Sequence, residues 1–131
     1  MTMDTPSREP DALSGQKVLL VEDDYLIADE MRRMLSRRGA EVLGPVATVD
    51  EALALVAASS EIDAAVLDIN LRDVMVFPVA DALEVRGVPF VFATGYEESV
   101  IPTRYAHVQR CEKPVQMDTL ARVLSNEVSQ H

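Results

Sequence analysis

Four places along the chain put reactive side chains directly after an apolar run. In VLLVEDDYLI, Val18 to Ile27, the first run meets Glu22, Asp23 and Asp24; AAVLD ends on Asp68, with Asn70 two residues on; VPFVFATG ends on Thr94 and Gly95; and HVQRCEKP ends on Lys113 and Pro114. Carboxylates confined together repel, and burying one without a partner costs several kcal/mol or forces a proton onto it. Three gathered acids, Glu22, Asp23 and Asp68, form an oxygen-rich set suited to a hard cation such as Mg2+, which takes one or two carboxylates and keeps waters. Lys113 would add a positive point charge and Thr94 a hydroxyl donor, which is what the oxygens of a phosphoryl group require. Asp68 is then the carboxylate nucleophile able to form an acyl phosphate.

Such chemistry needs elements that bring the four places together. The 131 residues suit one domain. Residues 1–16 mix Pro, Ser, Gly and charge with little apolar content and read as a flexible tail, leaving 17–131 as the domain. VLLV reads as a strand. A helix follows from about Asp24 to Arg38, with Ile27, Met31, Met34 and Leu35 on one stripe and Gly39 as its stop. EVLGPVA, residues 41–47, reads as a second strand, followed by a helix that Thr48 and Glu51 open as a capping box and that ends near Ser59. AAVLD is a buried strand, PVADALEVRG a helix closed by Gly87, VPFVFATG a fourth strand, HVQRCEKP a fifth, and Met117 to Val128 a last helix with Leu120, Val123, Leu124 and Val128 inward. In YEESVIPTRYA, Pro102 leaves room for a short helix only. Alternating strands and helices predict an α/β doubly wound parallel sheet, whose crevice lies beyond the carboxyl ends of its strands. All four reactive clusters occupy such ends.

Composition narrows the function classes. Twelve basic against 22 acidic residues give a net charge of -10, which opposes contact with a nucleic-acid backbone. The single Cys111 cannot form an internal disulfide. The amino-terminal stretch lacks the apolar core of a signal peptide, and no apolar run reaches a membrane span. A cytoplasmic protein without direct nucleic-acid or membrane contact is expected.

The motifs VEDD (21–24), LDIN (67–70), ATG (93–95) and EKP (112–114), in that order and spacing, resemble the receiver domain of bacterial two-component response regulators over about Lys17 to Val128. The resemblance implies a flavodoxin-like (βα)5 fold: a five-stranded parallel sheet in the order 2-1-3-4-5, flanked by five helices. It implies Asp68 as phosphoacceptor, Thr94 as switch hydroxyl and Lys113 as the essential lysine. For Mg2+ it implies Asp23, Asp68 and the Asn70 carbonyl as ligands, with Glu22 acting largely through water, and it favours a cis bond before Pro114. Three places depart from the family pattern, one being the segment between the fourth and fifth strands, which is poorer in helix than usual. LRDVMVFP replaces the usual Pro-Gly type turn after the acceptor, and Arg110 stands where many receivers carry a mobile aromatic, a role Tyr96 could take.

Plainer roles compete with these. Asp24 suits an ordinary helix N-cap, Glu22 and Asp23 could favour the positive end of the first helix, and Lys113 or Thr94 alone would be unremarkable. The joint placement favours the switch. The expected function is a single-domain response regulator that takes phosphate on Asp68 from a histidine kinase or a histidine phosphotransfer protein and signals through an unidentified downstream protein; a homodimer stays open. Its output face is expected on the segment from Gly95 to Glu112 and the exposed side of the last helix. The alternatives are a Mg2+-dependent phosphohydrolase working through an aspartyl phosphate, which Asn70 disfavours because an amide cannot serve as general acid, or a phosphate shuttle or sink.

Overall fold

The computed structural model describes residues 13–72, 74–95 and 101–129, excluding the side chains of Met117 and of residues 125–129. The chain order is β1 (Lys17–Val21), α1 (Tyr25–Arg37), β2 (Glu41–Val46), α2 (Val49–Ala58), β3 (Ala64–Asp68), β4 (Asn70–Leu71), β5 (Val74–Met75), α3 (Phe77–Val85), β6 (Phe90–Thr94), a 3-10 turn (Thr103–Tyr105), β7 (Arg110–Glu112) and α4 (Met117–Ser129). The main sheet runs β2-β1-β3-β6-β7 with every pair parallel. Leaving aside the two-stranded β4-β5 hairpin, this is the expected order 2-1-3-4-5.

Parallel strands covered on both faces must be apolar throughout, and β3 and β6 are buried at every position. Alternate residues feed two cores. On one face Val18, Leu20, Val66 and Val91 meet Met31 and Leu35 of α1 and Leu120 and Leu124 of α4. On the other, Leu19, Leu67, Phe90 and Phe92 meet Val56 of α2 and Phe77 and Leu83 of α3. The α1 stripe read from the sequence faces its core as expected, with Ile27 and Met34 at the margin. The inward place given to Val128 lies outside the described side chains.

Local chemistry sets the helix ends. Asp24 caps α1, its carboxylate accepting from the Leu26 and Ile27 N–H groups at 3.0 and 3.1 Å, the role the sequence suits it to. Thr48 caps α2 by accepting from the Glu51 N–H at 3.1 Å, while Glu51 accepts in return from Ala47 N–H at 3.0 Å.

Three features bear on the sequence reading, two of them departing from it. Packing begins before Lys17: Leu13 is fully buried among the α1 and β1 side chains, and its N–H donates to the Arg38 carbonyl at 2.9 Å. One leucine in a polar stretch carries no periodicity, so the sequence could not show this. Between β6 and β7 the described residues hold only the 3-10 turn, in keeping with Pro102 and without the resemblance's fifth helix. That turn is anchored by Tyr105, whose ring stacks among Phe77, Phe90 and Phe92 and whose hydroxyl, with the Arg104 guanidinium, donates to the Asp81 carboxylate. Third, β2 carries an irregularity: Leu19 pairs with Leu43 but Val21 pairs with Val46, so β2 spends one extra residue at Gly44-Pro45.

Gly44 has φ +99°, and a Cβ there would lie 2.9 Å from both the Leu20 carbonyl oxygen and the Val46 nitrogen. These are backbone atoms that cannot swing away. Gly44→Ala is expected to destabilise the fold by about 1–3 kcal/mol in urea denaturation; a loss under about 0.5 kcal/mol, the range of ordinary surface substitutions, would mean that the bulge relaxes freely.

Candidate functional site

The carboxyl ends of β1, β3, β6 and β7 meet as expected. Glu22 follows β1, its backbone N–H held by the Val46 carbonyl at 3.0 Å, so the β2 bulge also helps set the first acid. Its Oε2 accepts from the Asp24 N–H at 3.0 Å, tying the side chain to the entrance of α1. Asp68 closes β3 opposite Ala93, one residue before Thr94. Lys113 follows β7, and its backbone N–H donates to the Thr94 carbonyl at 2.7 Å, which locks the two residues together. The Lys113–Pro114 peptide is cis.

Glu22, Asp68 and Thr94 are 3%, 6% and 2% exposed, so two carboxylates sit where water cannot screen them. Lys113 answers both: its Nζ lies 2.9 Å from Glu22 Oε1 and 3.2 Å from Asp68 Oδ1. Asp23, more open, lies 3.6 Å from the Arg72 guanidinium. One oxygen from each of Glu22, Asp23 and Asp68 falls within 4.8 Å of the others. Hard oxygen donors at this spacing fit a divalent cation of the Mg2+ kind.

The electrostatics follow from burial. Asp68 is pushed up to about 7, first by loss of water and then by the Glu22 charge, with Lys113 pulling the other way. Burial works against the charge of Lys113, yet its hydrogen bond to Glu22 and the Asp68 charge outweigh that and hold the ammonium above its ordinary value. Thr94 Oγ1 is buried with no hydrogen-bond partner among the described residues. A buried hydroxyl without a partner is costly and awaits an acceptor or donor.

Asn70 opens β4 and pairs with Met75 across the hairpin. Tyr96 lies outside the described residues. Arg72, at the hairpin tip, was not singled out from the sequence; its only trace there is the unusual LRDVMVFP reading of the loop. No described helix is long and apolar enough to cross a membrane.

No protein-family model matches the chain. Among solved structures, SdrG from Sphingomonas melonis Fr1 is 41% identical, with 87% of this chain and 95% of that one covered at a TM-score of 0.75. A BeF3-activated conformation of SdrG is 39% identical, covering 86% and 95% at a TM-score of 0.70. The phyllosphere-induced regulator PhyR of Methylorubrum extorquens is 29% identical over 94% of this chain and 47% of its own length. The chain spans 34% to 47% of the curated relatives it matches. A response regulator receiver domain protein from Clostridium thermocellum, 18% identical, shares the fold over 88% and 95% of the two chains at a TM-score of 0.77. With five parallel strands in receiver order, strand ends carrying the acids, threonine and lysine, and a relative this similar over nearly its full length, the chain belongs to the response regulator receiver domain family.

Proposed function

We propose that this receiver accepts a phosphoryl group on Asp68 and passes the resulting change to a partner protein. The observation that carries the reading is the buried Asp68 carboxylate, 3.2 Å from Lys113 Nζ and one cross-strand position from Thr94, whose hydroxyl has no partner among the described residues. The donor would be a histidine kinase or a histidine phosphotransfer protein, the downstream partner a protein still to be identified, and the setting the cytoplasm. An Asp68 oxygen attacks phosphorus, the P–N bond to the donor imidazole breaks, and that nitrogen keeps the electron pair and takes up a proton from solvent. Glu22, Asp23, Asp68 and the Asn70 carbonyl would hold Mg2+, which supplies charge neutralisation between the acids and the incoming phosphate.

The chain's own groups do the remainder. Lys113 keeps Asp68 from paying the full cost of its buried charge and presents its ammonium where phosphoryl oxygens would gather. The Thr94 hydroxyl, lacking a partner among the described residues, gains one when it donates to such an oxygen. That gain favours a packing in which Thr94 and its strand end sit closer to Asp68, a population shift that a partner can sense. Asn70 beside the acceptor cannot cycle a proton, which supports a stored phosphate over rapid hydrolysis.

Incubation with a small phosphodonor and Mg2+ is expected to add one hydroxylamine-labile phosphoryl group by intact mass, and Asp68→Ala should add none while keeping its fold. Persistent labelling of that variant would move the acceptor elsewhere, and fast steady phosphate release would mark a hydrolase instead.

Mg2+ binding only the folded chain should raise its melting temperature by mass action. Asp23→Asn is expected to lose most of that shift in thermal melts at millimolar Mg2+. Identical shifts in both proteins would remove Asp23 from the ligand set.

Burial also links Asp68 to stability. With its folded value raised to about 7 from an ordinary 3.8, the folded state holds the proton more tightly than the unfolded chain. Its contribution is therefore full below the ordinary value and is lost as pH rises through about 7. In chelator, wild type should lose about 3 kcal/mol relative to Asp68→Asn between pH 5 and pH 8, at about 1.4 kcal/mol per unit until the loss levels off near pH 7. Parallel stability curves for the two proteins over that window would show that the carboxyl is not raised.

A further inference from the structure

Among the described residues, two cations pair with the three acids, and they divide the work unequally. Lys113 is the buried one and serves Glu22 and Asp68. Asp23 is left to Arg72, whose side chain is 80% exposed and whose Nε sits 3.6 Å from Asp23 Oδ2, an ion pair beyond hydrogen-bond length. We infer that Arg72 is an electrostatic gate on the cation site: its guanidinium occupies Asp23, and a divalent cation must displace it to bind. The inference rests on the reading of Glu22, Asp23 and Asp68 as the cation-holding set.

The hairpin places the gate. The β4 strand begins two residues after Asp68, its register pairs Asn70 with Met75 and Leu71 with Val74, and the Val76 N–H closes its base on the Ile69 carbonyl at 2.9 Å. Arg72 stands at the turn with φ +54°, a left-handed backbone uncommon for a residue with a side chain. Such conformations persist where surrounding structure imposes them and gather at functional sites. The turn therefore tethers a guanidinium to the nucleophile's own strand and aims it back at the acid on β1.

The energetics favour a gate over a structural brace. An exposed pair at this distance adds little to stability, so the fold does not depend on it. It does compete with a ligand for one carboxylate, and the guanidinium and a divalent cation also repel at close range. Arg72 should lower cation affinity while leaving the folded chain nearly as stable, and the effect should fade with salt because the pair faces solvent.

The test is isothermal titration of the full chain with Mg2+ at about 0.1 M and about 1 M salt, where screening lengths are roughly 10 and 3 Å. Arg72→Gln keeps the side-chain length and drops the charge; Arg72→Lys keeps the charge; Arg33→Gln removes a positive charge from α1, more than two helical turns from Asp23, as a control. Arg72→Gln is expected to bind Mg2+ about two- to fivefold more tightly at the lower salt, the worth of an exposed pair. The gain should vanish at the higher salt, and Arg72→Lys and Arg33→Gln should stay near wild type. Equal tightening in Arg33→Gln would reduce the effect to net charge and overturn the gate. Mg2+ binding that Asp23→Asn abolishes but Arg72→Gln leaves unchanged would overturn the gate alone. Absence of any Mg2+ binding by wild type, together with no phosphoryl gain on Asp68, would overturn the gate and the proposed function together.

Discussion

Lys113 Nζ stands 2.9 Å from Glu22 and 3.2 Å from Asp68, and the arrangement of the strand ends depends on that one ammonium. Two carboxylates nearly closed to water would otherwise repel in a medium that screens poorly. Even with Lys113 present, Asp68 is pushed up to about 7, so the neutralisation is partial. The site is built with an electrostatic deficit that a cation and a phosphoryl group would relieve together. Its lysine follows directly after β7, the edge strand, and is held in register by its own N–H on the Thr94 carbonyl. The strands that end on Asp68, on Thr94 and just before Lys113 are thereby joined by ladder hydrogen bonds, which resist repulsion better than long side chains could.

A cluster of this kind lowers stability, and the two cores offset it. Strands buried on both faces allow α1 and α4 to cover one side and α2 and α3 the other, so that every strand end opens to the same rim. The aromatic group of Phe77, Phe90, Phe92 and Tyr105 belongs to the α2-α3 side, and Phe92 lies two residues before Thr94. The Asp81 carboxylate fastens the turn carrying Tyr105, and burial pushes the Tyr105 phenol up to about 12, so that its proton stays on the hydroxyl that donates to Asp81. The Tyr105 turn between Thr94 and Lys113 is thus pinned by aromatic packing, and the Lys113 that follows it faces the acids.

Much of this was legible in the residues. Short apolar runs marked the five main strands, Thr48 with Glu51 and Asp24 marked helix starts, and the polar residues after the runs marked the site. Local signals of this sort survive because capping, strand propensity and helical periodicity are decided over a few residues. Other features left no such trace. Leu13 is a lone apolar residue whose burial depends on the shape of the α1 end. The β2 bulge shows in the sequence only as Gly44-Pro45, which fits a turn equally well. The LRDVMVFP loop disclosed that it was unusual but not that it folds back as a hairpin with Arg72 over Asp23.

The sequence by itself determined the chemistry available: which acids, which hydroxyl and which lysine end the strands, and that alternating strands and helices would gather them at one edge. That follows because side-chain identity and strand order along the chain are one-dimensional information. Tertiary structure alone decided the pairing of charges. Lys113 lies 45 residues from Asp68 and 91 from Glu22 in sequence, and nothing local says that it serves those two acids while Arg72 takes Asp23. Such a division depends on distances of a few ångströms and on which groups lose water, and both arise only when the sheet closes and its helices seal the strands beneath the rim.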